Sequence, residues 1–316
     1  GRPVVSPSID LGKKHYEVWA RVSEGPIASG PDAFLVATLM PSMKLGALLR
    51  TSGRVSPRLL ENIPRIQEYC HAQDQEFQMN PVEAEAGIAG PPPAGRGVGC
   101  FFSGGIDSFY TLLKHQAEIT HLIFVQGFDI RLDNVSLHTR VLKVIREIAA
   151  EFGKPLIEVE TNLREFCDRH IGWDPYHGAA AAFVAHLLSS GLRKVYFAGG
   201  MRYTHLKPFG SNPFLFSLWS SHMMDLVGDG CEASRLDKVA RVAQSELSLR
   251  TLRVCWKNRE GTYNCGDCEK CLRTMVGLRI VGALDRCSTF DRPLDLGVVA
   301  RMRFEEPYVT EFWEEN

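Results

Sequence analysis

Between residues 98 and 198, short apolar runs alternate with longer segments of helical spacing, and this alternation constrains the fold more than any other feature. The pattern predicts strands at 98–102, 121–126, 156–160 and 194–198, with helices at 107–116, 135–152 and 176–190. Such alternation is typical of a parallel, doubly wound α/β sheet. Ligands of such sheets bind beyond the carboxyl ends of the strands, so the loops after the strands are where we expect the site.

A proline-rich segment at 90–95, Gly-Pro-Pro-Pro-Ala-Gly, is compatible with neither a helix nor a central strand, and we interpret it as a linker. It predicts an N-terminal α+β module at 1–95, an α/β domain at 96–250 and a C-terminal region at 251–316. Within the module, the pattern indicates strands at 15–22 and 34–40 and a helix at 57–71 with Ser56 as its N-cap. Nothing in it indicates catalysis, so we expect it to pack against the body or to bind a partner protein.

Charge and composition exclude several classes of protein. The 316 residues contain 36 Lys plus Arg and 37 Asp plus Glu, so no global positive field favours a nucleic-acid partner. The longest apolar runs are far shorter than the roughly 18 residues that a membrane span needs. The chain starts without a signal-peptide pattern, and its nine cysteines are too few for a disulfide scaffold, so we expect a reducing, cytoplasmic location.

The first predicted strand leads into Ser-Gly-Gly-Ile-Asp-Ser at 103–108, where the next helix begins. Adjacent glycines allow backbone N–H groups to converge on an anion, and the helix N-terminus adds partial positive charge. Ser103 and Ser108 offer hydroxyl donors, whereas Asp107 indicates either Mg²⁺ or an N-cap. No Gly-Lys-Ser/Thr follows, so this is not a Walker loop. The alternative is a plain turn joining strand to helix.

Four cysteines follow a C-x9-C-x2-C-x2-C pattern at Cys255, Cys265, Cys268 and Cys271. Four thiolates close a tetrahedral structural zinc site with no open position. An iron–sulfur cluster, a redox pair or unrelated core cysteines are the alternatives. The remaining thiols are expected to be buried apolar residues, namely Cys70, Cys100, Cys167, Cys231 and Cys287.

The 103–108 segment resembles the pyrophosphate-binding loop of the N-type ATP pyrophosphatases (PP-loop enzymes), which have a HUP-like fold. Together with the cysteine pattern, it is similar to the 7-cyano-7-deazaguanine synthase family. That resemblance implies ATP, Mg²⁺ and Zn²⁺, and the adenylation of 7-carboxy-7-deazaguanine or a related acid, followed by attack of ammonia or an amine. By position it assigns the ATP loop to Ser103, Gly104, Gly105, Asp107 and Ser108, the adenine seat to Phe124, Val125 and Gln126, and the zinc ligands to the four cysteines.

Two segments, 170–178 and 202–213, depart from the family pattern and carry groups that bind anions or move protons: His170, Asp174, His177, Arg202, His205 and Lys207. Lys207 or Arg202 is a candidate for neutralising pyrophosphate as it leaves, and His177 for orienting the nucleophile. Gly199 would let the nucleotide approach the backbone. Taken singly, each of the charged candidates is better explained as a capping or solvated residue, and a simple turn explains Gly199 equally well. The catalytic candidates are therefore Asp107, Ser108, His177 and Lys207.

Three hypotheses for function follow. The first is an AMP-forming synthetase acting on a small carboxylate; the second is a PP-loop sulfurtransferase using Cys100 or Cys167 on RNA or a small molecule; the third is a nucleotide-binding module without turnover. A homodimer is left open. The helix predicted at 236–249, with Arg235, Lys238 and Arg241 on or beside it, is interpreted as solvated, and the segment 304–316 as packed on the body or frayed. Asp107→Ala is expected to abolish ATP turnover with the fold intact.

Overall fold

A seven-stranded sheet forms the centre of the computed structural model, which describes residues 4–6, 8–11, 14–25, 27–88, 90–206, 210–259, 261–303 and 307–315. The strands are β1 (Val4–Val5), β2 (Ser8–Leu11), β3 (Lys14–Glu17), β4 (Ala20–Val22), β5 (Leu49–Val55), β6 (Val82–Ala86), β7 (Gly97–Phe101), β8 (His121–Gln126), β9 (Leu156–Thr161), β10 (Leu192–Ala198) and β11 (Asp225–Asp229). The central sheet has the order β1-β4-β9-β8-β7-β10-β11.

Strands β7 to β11 pair in parallel, whereas β4 pairs antiparallel with β9, and β1 antiparallel with β4. The predicted α/β class with a mostly parallel sheet is confirmed. Two further pairs, antiparallel β2–β3 and parallel β5–β6, lie outside this sheet.

Twelve α-helices occur in the described ranges. They are α1 (Pro31–Leu45), α2 (Pro57–Gln73), α3 (Ile106–Lys114), α4 (Val135–Glu151), α5 (Leu163–Cys167), α6 (Trp173–Leu187), α7 (Pro213–Leu218), α8 (Arg235–Val242), α9 (Glu246–Thr251), α10 (Glu269–Ile280), α11 (Leu296–Arg301) and α12 (Pro307–Glu314). None of the helices in this part of the chain combines the length and apolar composition that a bilayer crossing requires.

Helices cover both faces of the sheet. Successive residues of a strand point to opposite faces, so neighbouring residues of one strand enter different cores. On β7, Phe101 joins a core with residues of α1, α6 and α7, whereas Cys100 joins a second core with residues of α3, α4 and α8. The sheet is therefore buried on both faces, which explains why its strands are continuous apolar runs in the sequence.

The strand order reverses at β7. The chain passes from β7 to β8 and β9 on one side, then crosses to place β10 and β11 on the other. Loops that leave adjacent parallel strands in opposite directions leave a crevice at their carboxyl ends, and here that crevice lies between the loops after β7 and β10.

The strand predicted at 34–40 is wrong, because this segment lies within α1. Its run of apolar residues shows no helical period because the helix is buried nearly all round against α6 and neighbouring elements. Its ends carry the better signals, with Pro31 in the first turn and Gly46 in a left-handed conformation, φ +58°, after the last. The strand predicted at 15–22 is divided into β3 and β4.

The helix predicted at 57–71 is confirmed as α2, although the Ser56 side chain does not cap it. Instead the Ser56 hydroxyl is 2.9 Å from His222 Nδ1 and accepts the His222 backbone N–H at 3.0 Å. This side chain joins the N-terminal segment to the loop before β11.

Residues before the linker are built into the main body. Strand β4 extends the central sheet at β9, and the Tyr176 hydroxyl of α6 donates to the Ala37 carbonyl of α1 at 2.6 Å. Pairing with β4 covers an edge of β9 that would otherwise be exposed. Residues on both sides of position 95 therefore contribute to the same sheet and the same core, and residues 90–95 are exposed.

Candidate functional site

The loop predicted to bind phosphate occupies the crevice at the sheet reversal. It joins the end of β7 at Phe101 to the start of α3 at Ile106. Gly104 has φ +78°, a left-handed conformation that favours glycine, and Gly105 precedes the helix in an extended conformation. No side chain caps α3, so Asp107 is not an N-cap. The helix therefore presents its partial positive charge beside the loop.

Both serines of the motif lie at this turn. The Ser108 hydroxyl donates to the Gly105 carbonyl at 3.0 Å, and the Ser103 and Ser108 hydroxyl oxygens are 3.5 Å apart. Ser103 is half-buried, whereas Ser108 is buried. The loop thus brings two hydroxyls and two glycines to a helix N-terminus, where backbone N–H groups are able to bind an anion.

The Asp107 carboxylate points at two buried cations. Arg235 Nη1 donates to Asp107 Oδ2 at 3.0 Å, and Lys238 Nζ donates to Oδ1 at 3.1 Å. Their side chains are 8% and 1% exposed. Burial alone would raise the pKa of Asp107, but the two cations outweigh it and hold that pKa well below its usual range.

The solvated helix predicted at 236–249 is therefore wrong for Arg235 and Lys238, which are buried, whereas Arg241 is exposed as predicted. The segment forms two helices, α8 and α9, and both cations are on the first turn of α8. They are three residues apart, which places them on one face of the helix. A capping box between Ser234 and Asp237 begins α8 and fixes that face against α3.

Lys238 also links the two sides of the crevice. Its Nζ donates to the Gly199 carbonyl at 2.7 Å, just after β10. A Cβ at Gly199 would lie 2.6 Å from Cys231 Sγ, so glycine is required there by close packing. Cys231 is 1% exposed, and burial raises its pKa to about 11.

A third buried cation lies beside these two. Arg273, on α10, is 2% exposed and forms an ion pair with Glu269 at 2.6 Å. Burial and the neighbouring Arg235 lower the pKa of Arg273 to about 10. Its Cζ lies 4.2 Å from the ring centroid of Phe312 on α12, and Arg235 Cζ lies 5.6 Å from the same centroid.

The C-terminal helix α12 lies over the crevice. Glu315 accepts the backbone N–H of Arg235 at 2.6 Å and is 3.9 Å from Arg202 Nε. The Phe312 ring also lies close to Gly200. Packing of the described part of 304–316 on the body is thereby confirmed.

The residues predicted to seat adenine lie at the end of β8, next to β7. Phe124 is 6% exposed within the core, with its ring 6.0 Å from that of His138, so its side chain serves packing. Val125 and Gln126 are half-buried. Both are paired with β9, opposite Val159 and Glu160.

The two divergent segments are only partly brought together. A Cβ at Gly178 would lie 1.7 Å from the Gly210 carbonyl oxygen, so the loop after β10 lies directly against α6. This contact places His177 beside Gly210, with its ring 6.0 Å from Phe197 at the end of β10. Burial lowers the pKa of His177, which leaves its imidazole neutral at pH 7.

The other candidates in these segments are dispersed. His170 packs 5.7 Å from Tyr16 and 5.3 Å from Phe166, among N-terminal contacts. Asp174 and His205 are exposed. Lys207 lies outside the described residues.

The four predicted cysteine ligands form one cluster. Their sulfur atoms all lie within 4.8 Å of one another, with Cys265–Cys271 at 3.9 Å and Cys268–Cys255 at 4.0 Å. Tetrahedral zinc with Zn–S bonds of about 2.3 Å needs sulfurs about 3.8 Å apart, so this donor set fits a closed zinc site. Hydrogen bonds from the Cys268 and Cys271 thiols hold the pKa of Cys255 well below its usual range. The five other cysteines are buried, as predicted.

A buried asparagine connects the cluster with the phosphate loop. Asn264 Oδ1 accepts the backbone N–H groups of Val254 and Cys255 at 2.8 and 3.1 Å. One residue before Val254, the Arg253 N–H donates to the Gly104 carbonyl at 2.9 Å. The cysteine cluster therefore fixes the segment on which the phosphate loop rests.

No protein-family model, no curated protein and no solved structure matches this chain. Its function therefore has to be inferred from the chemistry of the site itself.

Sequence reasoning missed the cations that face Asp107 and the acidic helix that covers them. The capping box at Ser234 and the spacing of Arg235 and Lys238 were the available signals for one cationic helix face. The sequence contains no comparable signal for Arg273 or Glu315, because their contacts are between segments far apart in the chain.

Proposed function

We propose that this protein is an ATP-dependent, AMP-forming synthetase with a HUP-like ATP-binding domain. It adenylates a small carboxylate, such as 7-carboxy-7-deazaguanine, for attack by ammonia or an amine. The observation that carries the proposal is the Ser103–Ser108 loop at the sheet reversal, with its left-handed Gly104 and with Asp107 facing two buried cations. Oxyanions bind at such helix N-termini, and cations nearby stabilise developing negative charge.

The reaction proposed is an in-line transfer. A carboxylate oxygen attacks the α-phosphorus of ATP, the bond to the β-phosphate oxygen breaks, and pyrophosphate leaves as the acyl adenylate forms. The amine nitrogen then attacks the acyl carbon and loses a proton, while AMP leaves with the bonding electron pair. The chemistry of the acceptor acid determines whether a second ATP cycle then dehydrates the amide to a nitrile.

Each part of the crevice has a role in this proposal. The backbone of Ser103–Gly105 and the two serine hydroxyls would hold the pyrophosphate. Arg235 and Lys238 would remain paired with Asp107 and supply positive charge at one side of the loop. Neutral His177 would accept a hydrogen bond from the incoming amine.

Two metals belong to the proposal. Mg²⁺ would enter with the nucleotide phosphates and neutralise their charge. Asp107 would not be a ligand of this ion, because both of its carboxylate oxygens already accept hydrogen bonds from cations. Zn²⁺ would be held by the four cysteines as a structural ion that fixes the Arg253 segment under the loop.

The sulfurtransferase hypothesis has weaker support. It requires a reactive thiolate near the phosphate loop. Cys100 and Cys167 are fully buried, and burial raises the pKa of both thiols. Cys231 lies beside the crevice at Gly199, but its raised pKa disfavours the thiolate.

The test is the fate of ATP with Mg²⁺, 7-carboxy-7-deazaguanine and ammonia, separating AMP from ADP by chromatography and following the deazapurine by mass. We expect AMP with conversion of the acid to an amide or nitrile, loss of both in Asp107→Asn, and retention in Asp285→Asn, whose side chain is exposed. ADP as the nucleotide product would overturn the adenylation proposal. AMP formation with a different acid would change only the acceptor.

A further inference from the structure

The C-terminal helix places a carboxylate where the crevice has positive charge in excess. Glu315 is 15% exposed at its side chain and accepts the first N–H of α8 at 2.6 Å. A helix N-terminus is a site for oxyanions, and Glu315 is an oxyanion supplied by the chain itself.

The buried cations under α12 are incompletely paired. Within the described part of the chain, Arg235 Nε and Arg273 Nη1 are buried and have no hydrogen-bond partner. Among the described residues, Arg235 and Lys238 form ion pairs with Asp107, and Arg273 forms one with Glu269. An unpaired buried N–H of a charged group is costly, so this arrangement favours an additional anion.

Phe312 separates these unpaired nitrogens from solvent. Its ring lies 4.2 Å from Arg273 Cζ and 5.6 Å from Arg235 Cζ. Phe312 is in the last turn of α12 and Glu315 follows directly after the helix, so a movement of α12 would uncover both the guanidinium groups and the first turn of α8.

We propose that Glu315 and Phe312 occupy a second oxyanion subsite, formed by the N-terminus of α8 with Arg235 and Arg273, and that a phosphate group displaces them. Because Asp107 connects Arg235 to the phosphate loop, the subsite adjoins that loop, and its ligand is the terminal part of a polyphosphate. The inference rests on the proposed ATP site but concerns binding rather than turnover.

The experiment compares the affinities of inorganic pyrophosphate, ATP and AMP by isothermal titration calorimetry of the full chain at low salt. Glu315→Gln removes the competing charge, and Glu314→Gln, whose side chain is exposed, is the matched control. We expect Glu315→Gln to bind pyrophosphate and ATP about three- to tenfold more tightly, the range of a charge at a helix N-terminus. AMP, which lacks the terminal phosphates, should bind both variants and the parent equally.

A second variant tests the cation side. Arg273→Met should weaken pyrophosphate and ATP by at least about tenfold with little effect on AMP, as loss of a charge-assisted hydrogen bond predicts. If Arg273→Met fails to fold, Glu315→Gln alone decides. Unchanged affinity for pyrophosphate and ATP in Glu315→Gln would overturn the proposal, as would an equal gain for AMP. Because these are binding measurements, absence of AMP formation from ATP would contradict the proposed function without deciding the subsite.

Discussion

The cysteine cluster and the phosphate-loop crevice adjoin each other, yet they are assembled in opposite ways. The cluster takes its four ligands from residues 255–271, whereas the crevice pairs Asp107 with cations 128 and 131 residues later in the chain. The local spacing of the cysteines therefore sufficed to predict the cluster. In the crevice, the sequence predicted the 103–108 loop but not the cations that face Asp107. We therefore expect substitutions in the cluster to affect mainly the stability of the fold, and substitutions in the crevice to affect mainly the proposed ligand binding.

The largest effect is expected at the cluster. Cys268→Ser removes one ligand from a site whose metal contributes folding free energy directly, about 10–16 kcal/mol in isolated zinc domains. We expect bound zinc to fall from one per chain to near zero, with loss of cooperative unfolding of the C-terminal region. Metal content by mass spectrometry is the measurement. Cys287→Ser, a buried thiol outside the cluster, should keep its zinc; equal zinc in both variants would remove the metal assignment.

The second-largest effect is expected when Asp107 is substituted, and it is a loss of folding stability. Removing one partner of a buried ion pair costs about 3–5 kcal/mol, because it leaves uncompensated charge. The sequence alone predicts an intact fold for Asp107→Ala, but two buried cations depend on this carboxylate. We now expect Asp107→Asn to be destabilised in urea unfolding at pH 7, and Asp285→Asn to match the parent.

The same residue gives a pH dependence with a defined sign. The pKa of Asp107 is depressed in the folded chain, so its stabilising contribution is complete above the unfolded value, about 3.9, and is lost as pH falls toward the folded value. The parent should therefore lose more stability than Asp107→Asn between pH 5 and pH 3. Parallel loss in the two proteins would show that the ion pair does not form.

The smallest effect separates backbone strain from ligand binding. Gly104→Ala places a Cβ at φ +78°, where it meets Ile145 Cδ1 only at ordinary contact, 3.4 Å. The strain should cost about 1–2 kcal/mol. Gly153→Ala, at φ +61° in open space, carries a similar backbone cost away from the loop. Both should unfold at similarly lowered urea concentrations, but only Gly104→Ala should bind ATP more weakly; matching ATP affinities would show that the loop is merely a turn.

The strands and helices were predictable where burial produces a regular spacing of apolar residues along the sequence. Strands β7 to β10 and helices α3, α4 and α6 lie within three residues of their predicted bounds, since α/β alternation is a local property. Helix α1 was mistaken for a strand because burial on nearly all sides removes the amphipathic period. The pairing of β4 with β9 joins residues about 140 positions apart, which no local pattern specifies.

The site was predictable to a similar extent. The loop residues at 103–108 and the cysteine ligands each lie within a short segment of the sequence, and the structure brings each set together. The roles of Arg235, Lys238 and Arg273 depend on how α8 packs against α3 and how α10 packs against α8, which the sequence does not encode in any short segment. Glu315 was missed for the same reason, since its partner Arg235 is 80 residues away.

The most direct test of the central claim, that the crevice after β7 binds the phosphates of ATP, is a calorimetric titration with the non-cleavable analogue α,β-methylene-ATP and Mg²⁺. We expect one binding site for the analogue per chain in the parent and in Gly153→Ala, and strongly reduced binding of the analogue in Gly104→Ala and Ser103→Ala. Absence of binding in the parent, or equal binding in all four proteins, would contradict it.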